Sequence, residues 1–425
     1  MKSKCLKIYG IIGAIMLLSS CSASKKIQKD VVDQSAQEEF FKGIVVFDPE
    51  KNKTVLNING NKYFTPASNT KLFTFYAAYK TFNDSVAGLM YYENKDSLII
   101  CGTADPSFLY GFEESRTIPF LNARGQNIYI VDKKIEEPFF GDGWAWNDYA
   151  YAYMVEKNLF PIYGNYVELT KQDTSITTFP GFFKNSVLVK DEIQERRDYA
   201  SNEFYVKTKD HFKGRTIPFK TSNQLVADIL GDTLKRKITL IPSTFNKAMK
   251  PLYSVAYDSL YKEMLLVSDN FIAEQLMLQV GNAWTGSYSV EKGIDTILNL
   301  YLKEIPQKPR WVDGSGLSRY NLFTPESIVF LLNRMYREIP KEKLFEFLPN
   351  GGESGTLKNY FKNDKPYIFA KTGTLSNNHN ISGYLRTKSG KILIFSYMNN
   401  HYMGSSTDRK TEMEKVFKSL YENYK

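Results

Sequence analysis

The sequence predicts an α/β protein of the α+β kind, with helix-and-strand ends separated by a long β-rich insert. Three observations point there. Strand-like and helical patterns alternate near both ends of the chain. Between them, from about residue 90 to 250, short β-rich runs are broken by Gly, Pro and Asn/Asp clusters. The 425 residues, 43% hydrophobic and 15% aromatic, give two or three domains with sizeable cores and exclude a disordered chain.

Residues 1–20 form an export signal outside the fold. Lys2, Lys4 and Lys7 make a positive segment, residues 8–18 are apolar, and Leu18-Ser19-Ser20-Cys21 follows. The apolar stretch is too short to span a bilayer, which takes about 20 residues. Its end resembles the lipobox of bacterial lipoproteins, which implies cleavage before Cys21 and membrane attachment through a lipid on it. An ordinary secretory signal with an incidental Cys is the alternative. Ser22 stands where an aspartate is linked to inner-membrane retention, which favours the outer membrane. Removing the three lysines lowers the net charge from +9 to +6. This mild, scattered excess carries no nucleic-acid signature, so nucleic acid is not an expected partner.

Residues 21–40 are expected to be a polar tether, with folding starting at Phe41. Runs at 43–47 and 53–57 predict a hairpin, and an apolar helix is expected over 68–80. Within the insert, strands are expected at 97–100, 127–131, 186–189 and 237–241. Helical patterns return at 258–266, 270–280, 290–302, 325–336 and 409–424, with closing strands at 367–374, 381–386 and 392–398. The expected division is one domain of 41–89 plus 251–425, split by an insert of 90–250. Cys5, Cys21 and Cys101 make no disulfide framework, and His211, His379 and His401 show no metal-ligand spacing. Cys101 is expected in the core.

Three short motifs carry chemistry. In Ser68-Asn69-Thr70-Lys71, the Ser and Lys at i and i+3 share a helix face, and a lysine with a depressed pKa can take the serine proton without histidine. Alone, the same residues make a plain helix N-cap. Ser268-Asp269-Asn270 places a hydroxyl and an amide at a helix start, one to relay protons and one to hold a carbonyl; alone it is a capping sequence. Lys371-Thr372-Gly373-Thr374 lies in a strand pattern whose edge suits a carboxylate-ended peptide added alongside, although any surface strand looks similar.

Together and in this order, S-x-x-K, S-D-N and K-T-G form the signature of class A β-lactamases and penicillin-binding proteins. The flanks Pro66-Ala67, Asp313-Gly-Ser-Gly-Leu-Ser-Arg319-Tyr-Asn321 and Gly355-Thr-Leu357 narrow it. So does the spacing: 200 residues separate Ser68 from Ser268, and 103 separate Ser268 from Lys371. The chain resembles the class C low-molecular-mass penicillin-binding proteins, the D-alanyl-D-alanine carboxypeptidase/endopeptidase family, whose members carry a long insert between the first two motifs. Segments at 102–106 and 143–148 also look like the family's.

The resemblance implies a penicillin-binding-protein/β-lactamase-like transpeptidase domain, an antiparallel sheet flanked by helices. It implies that Ser68 attacks the penultimate D-Ala carbonyl of peptidoglycan stem peptides, with Lys71 as base and Ser268 passing the proton to the leaving amine. Asn270 would hold Lys71 and the substrate amide. Lys371 would favour neutral Lys71 and, with Thr372, Gly373 and Thr374, receive the terminal carboxylate. The N–H groups of Ser68 and Thr374 would form the oxyanion hole, worth about 3–4 kcal/mol per donor. Asp148 and Arg319 match positions that bind the free end of a diaminopimelate side chain; a helix cap and a structural ion pair are their alternatives. β-Lactams would acylate the same serine, and neither metal nor organic cofactor is implied. A serine β-lactamase and a non-catalytic peptidoglycan-binding lipoprotein are the competing readings. No E-x-x-L-N element between the first two motifs supports the former, and the complete set of motifs speaks against the latter.

Overall fold

A computed structural model describes residues 39–425. The expected leader, Cys21 and most of the expected tether lie outside these residues. The fold begins with a hairpin of Phe41–Asp48 and Lys53–Ile58. Asp48 closes its turn by accepting from the backbone N–H of Glu50 and Lys51, both at 2.9 Å. The hairpin does not stand alone: Phe41–Asp48 pairs antiparallel with Ile392–Asn400, near the other end of the chain. The sheet continues through Asn378–Arg386 to Ile368–Leu375, so five antiparallel strands leave Ile368–Leu375 on one edge.

Alternation of side chains divides this sheet between two cores. Ile44 and Val46 pack with Met413, Phe417 and Leu420 of the C-terminal helix Ser406–Asn423. Val45 points the other way, into a core shared with Leu72 and Phe73 of Thr70–Thr81, Leu276 of Asn270–Thr285 and Leu331 of Pro325–Glu338. The result is helix, sheet, helix, which is why the Ile392–Asn400 strand is buried throughout. The helix Thr70–Thr81 lies inside the helical layer with every residue from Thr70 to Ala78 buried.

Residues 85–256 build a second sheet with its own core. Its strand order is Ile238–Ile241, Asn127–Val131, Ser97–Cys101, Ser85–Glu93 and Lys250–Ala256. It is mixed, since Asn127–Val131 runs parallel to both neighbours. A three-stranded antiparallel sheet and a two-stranded parallel one complete the region around Phe183, Phe204 and Ile217. Cys101 is buried beside Val131 and Leu159. No helix among the described residues is long and apolar enough to cross a membrane.

The sequence reading missed the helix Asn223–Leu234, although Ser222 caps it through the N–H of Leu225 and Val226, Ile229 and Leu230 make its buried face. It missed Ser85–Glu93 and Lys250–Ala256, where Gly88 and Pro251 interrupt the strand pattern. The strand expected at 381–386 begins three residues earlier, at Asn378, because Asn377 turns the chain at φ 69°.

Candidate active site

Ser68 sits in a tight helical turn, Ala67–Asn69, that opens directly into Thr70–Thr81. Ala67 is held at φ 49°, and the loop bearing Gly316 presses against it. A Cβ on Gly316 would lie 2.0 Å from the Ala67 carbonyl oxygen, and Gly316 itself is at φ 80°, so glycine is required there. One turn on, Lys71 is fully buried and its Nζ reaches three acceptors. These are Ser68 Oγ at 3.1 Å, Asn270 Oδ1 at 2.6 Å and the Ser315 carbonyl at 2.7 Å.

Asn270 begins the helix Asn270–Thr285, capped by Asp269, which accepts from the Ile272 N–H at 2.8 Å and from the Tyr110 hydroxyl at 2.5 Å. Ser268 precedes this cap at φ 65°, a left-handed conformation unusual for serine, and so turns its hydroxyl toward Lys371. Lys371 Nζ donates to Ser268 Oγ at 2.8 Å and to the Thr372 carbonyl at 2.7 Å. The edge strand approaches the Ser68 turn closely because position 373 is glycine: a Cβ there would meet the Pro66 oxygen at 2.5 Å and the Asn69 N at 2.9 Å. Asn69 ties the two segments together, donating to the Lys371 carbonyl at 3.2 Å.

Asp313 organises the loop behind Lys71. It accepts from the N–H of Gly316 at 2.8 Å and Ser318 at 2.6 Å, from Asn321 at 2.7 Å and from Trp144 Nε1 at 2.8 Å. Glu274, one turn beyond Asn270 on the same helix, accepts from the Ser315 N–H at 2.7 Å and so fixes the carbonyl that Lys71 reaches.

These segments enclose a cleft of about 380 Å³ whose walls include Ser68, Ser268, Asn270 and Thr374, with Asp148, Tyr153 and Arg319 opposite. Asn270 Nδ2 donates across it to the Tyr153 carbonyl at 2.8 Å. Asp148 lies in the short turn Trp146–Asp148, and its charge acts on the Tyr153 hydroxyl. Burial and this carboxylate push Tyr153 up to about 12. Arg319 is exposed and makes no ion pair among the described residues. The Thr372 hydroxyl donates to Thr356 Oγ1 at 2.8 Å.

Burial dominates the electrostatics. It lowers Lys71 to about 8, while Asp269, Asp313 and Glu274 pull in the opposite direction. Lys371 is pushed well below its usual value by burial and then by Lys71. Two ammonium groups in one buried site cannot both stay charged cheaply, so each weakens the other's hold on its proton. Glu274 is raised to about 7, by burial first and Asp313 next. Among the described residues no group of three or more His, Cys, Asp and Glu side chains is arranged to hold a metal ion.

Of the site residues expected from sequence, Ser68, Ser268, Asn270, Thr374, Asp148 and Arg319 line this cleft, Lys71 and Lys371 reach its walls by hydrogen bonds, Gly373 packs on the Ser68 turn, Thr372 lines the neighbouring cavity beside Thr356, and Cys21 lies outside the described residues. Sequence reasoning missed Asn69, Tyr153, Glu274, Ser315, Thr356 and His379. Glu274 stands four residues after Asn270, a spacing that already puts both on one helix face. Ser315 acts through its carbonyl, which no side-chain pattern reveals.

Residues 23–211 and 230–420 match the D-Ala-D-Ala carboxypeptidase 3 (S13) family. The chain belongs to this family. As an S13 protein it is similar to the D-alanyl-D-alanine carboxypeptidase DacB of Haemophilus influenzae, 24% identical over 431 residues that cover 87% of each chain. Its fold is similar to the crystal structure of penicillin-binding protein 4 from the same organism, with a TM-score of 0.73 at 21% identity over 94% of this chain and 97% of that one. It is also similar to a predatory endopeptidase of Bdellovibrio bacteriovorus, with a TM-score of 0.53 at 15% identity over 89% and 92% of the two chains.

Proposed function

We propose that this S13 protein is a serine-type D-alanyl-D-alanine carboxypeptidase/endopeptidase that cleaves peptidoglycan stem peptides through an acyl-enzyme on Ser68. The observation that carries the reading is the placement of Lys71 Nζ 3.1 Å from Ser68 Oγ, with Asn270 and Ser315 fixing it from behind. Ser68 attacks the carbonyl of the penultimate D-Ala, and Lys71 accepts its proton. With a pKa of about 8, roughly a tenth of Lys71 is neutral at pH 7. Ser268, linked to Lys371, passes a proton to the leaving amine. The N–H groups of Ser68 and Thr374 stabilise the oxyanion, and water then releases the acyl group.

The Lys71–Lys371 pair gives the substrate a part in activating the base. Lys371 lacks the acids that surround Lys71, and burial and Lys71 both weaken its hold on a proton. A substrate carboxylate received by Thr372, Gly373 and Thr374 favours a charged Lys371. Repulsion then favours neutral Lys71, the form that accepts the serine proton.

Asp148 and Arg319 offer opposite charges to the zwitterionic end of a diaminopimelate side chain. β-Lactams occupy the same cleft and acylate Ser68. Residues 41–89 and 251–425 form the catalytic domain and 90–250 its insert. The protein works in the cell envelope, exported by residues 1–20 and held at the outer membrane by a lipid on Cys21, with 21–40 as the tether. The test is digestion of defined muropeptides, monomeric and cross-linked, by wild-type enzyme and Ser68→Ala. Released D-Ala, or monomers from cross-linked dimers, must disappear in the variant; persistence of both activities overturns the assignment.

A further inference from the structure

The carboxylate-facing threonine of the edge strand has a partner that none of the three motifs includes. Thr374 Oγ1 lies 2.8 Å from Nδ1 of His379. The two residues oppose each other in register across Ile368–Leu375 and Asn378–Arg386, and His379 is 4% exposed. Behind them lies a cavity of about 170 Å³ lined by Thr356, Thr372, Thr374, His379 and Lys410 over apolar side chains. Burial, and then the charge of Lys410, lower His379 to about 4, so the ring is neutral around pH 7.

A neutral imidazole has one N–H and one lone pair, and a hydroxyl has one proton to give. Were Nδ1 the acceptor, it would take the Thr374 proton and leave that oxygen with only lone pairs to offer. Lone pairs repel a carboxylate. With the proton on Nδ1, the ring donates to Thr374, whose own O–H is then free to point into the cleft. Lys410, on the lining of the same cavity, supplies a positive charge that opposes a second proton on the ring.

We propose that His379 is a positioning residue that donates from Nδ1 to Thr374 and so commits the Thr374 hydroxyl to donating to the substrate's terminal carboxylate. The proposal rests on the carboxylate-binding role of Thr374 proposed above. It gives this chain a carboxylate-reading relay of edge-strand threonine and neighbouring-strand histidine.

The test uses the purified full-length enzyme and two pentapeptides, one ending in D-Ala-D-Ala carboxylate and one in its carboxamide. His379→Leu is expected to raise KM for the carboxylate peptide about tenfold with kcat little changed, and to shrink the preference over the carboxamide by the same factor. His379→Asn, which keeps an amide donor near the Nδ1 position, should recover most of that preference. His379→Gln, whose amide reaches the other ring nitrogen's position, should behave like Leu and supplies the comparison if Leu fails to fold. The proposal is overturned if Thr374→Val loses the preference while the Leu and Gln variants keep it, or if Asn recovers nothing that they lose. If Thr374→Val itself keeps the full preference, the carboxylate role of Thr374 fails and the proposal falls with it.

Discussion

The two walls of the cleft are built differently. The wall made by Ser68, Lys71, Ser268, Asn270 and Lys371 is knit together, with both lysines fully buried and each on two or three acceptors. Its backbone is constrained by positive φ at Ala67 and Ser268 and by glycines where segments touch. The facing wall presents half-buried Asp148 and exposed Tyr153 on a short turn and a loop of the 85–256 region, with exposed Arg319 from the loop that follows Asp313. Hydrogen bonds from Asn270 to the Tyr153 carbonyl, from Tyr110 to Asp269 and from Trp144 to Asp313 tie the two together. Bond-making demands fixed positions, whereas recognition of a substrate's free end tolerates a looser frame.

The largest effect expected from this contrast follows Lys71→Ala, which removes both the base and the donor at the centre of the knit wall. Acylation by penicillin and kcat/KM on a stem peptide should each fall about 10³-fold. A loss below tenfold would break the contrast. Gly316→Ala comes next: its Cβ would collide with the Ala67 carbonyl at a φ that disfavours alanine. Activity should drop about 10²-fold with a destabilisation of about 2 kcal/mol in urea unfolding. The pH profile sharpens the account of the base. Lys71 must be neutral to accept a proton and is lowered to about 8, so kcat/KM in the free enzyme should rise about tenfold per pH unit up to about 8 and level off above it. A profile flat from pH 6 to 9 would exclude Lys71 as the titrating base. The smallest effect belongs to the facing wall. Asp148→Asn and Arg319→Ala should each lower kcat/KM on diaminopimelate peptides about tenfold while penicillin acylation stays within about twofold. Equal losses on both substrates would place these residues in the chemistry instead.

How much of this was legible in the sequence follows the same division. The three motifs named the residues of the knit wall because bond-making chemistry fixes side-chain types at fixed spacings, and the closing strands were visible from their apolar runs. Their order in the sheet was not, since Phe41–Asp48 pairs with Ile392–Asn400 across most of the chain and no local pattern records such a pairing. His379 escaped because the turn at Ser376-Asn377 was not seen as a tight hairpin; with that turn in place, its register opposite Thr374 follows at once. Tyr153 and Ser315 contribute carbonyl oxygens, which every residue has. The parallel pairing of Ile238–Ile241 with Asn127–Val131 is reached through the helix Asn223–Leu234, whose cap and apolar spacing are present in the sequence but were overshadowed by the surrounding β-rich runs.

The central claim is that Ser68 carries the acyl group. Intact-mass analysis of the penicillin-treated protein, followed by peptide mapping, tests it directly. A single penicilloyl adduct on the peptide containing Ser68, absent from Ser68→Ala, is the predicted result. An adduct at another residue, or none in a wild-type preparation that still releases D-Ala, would contradict it.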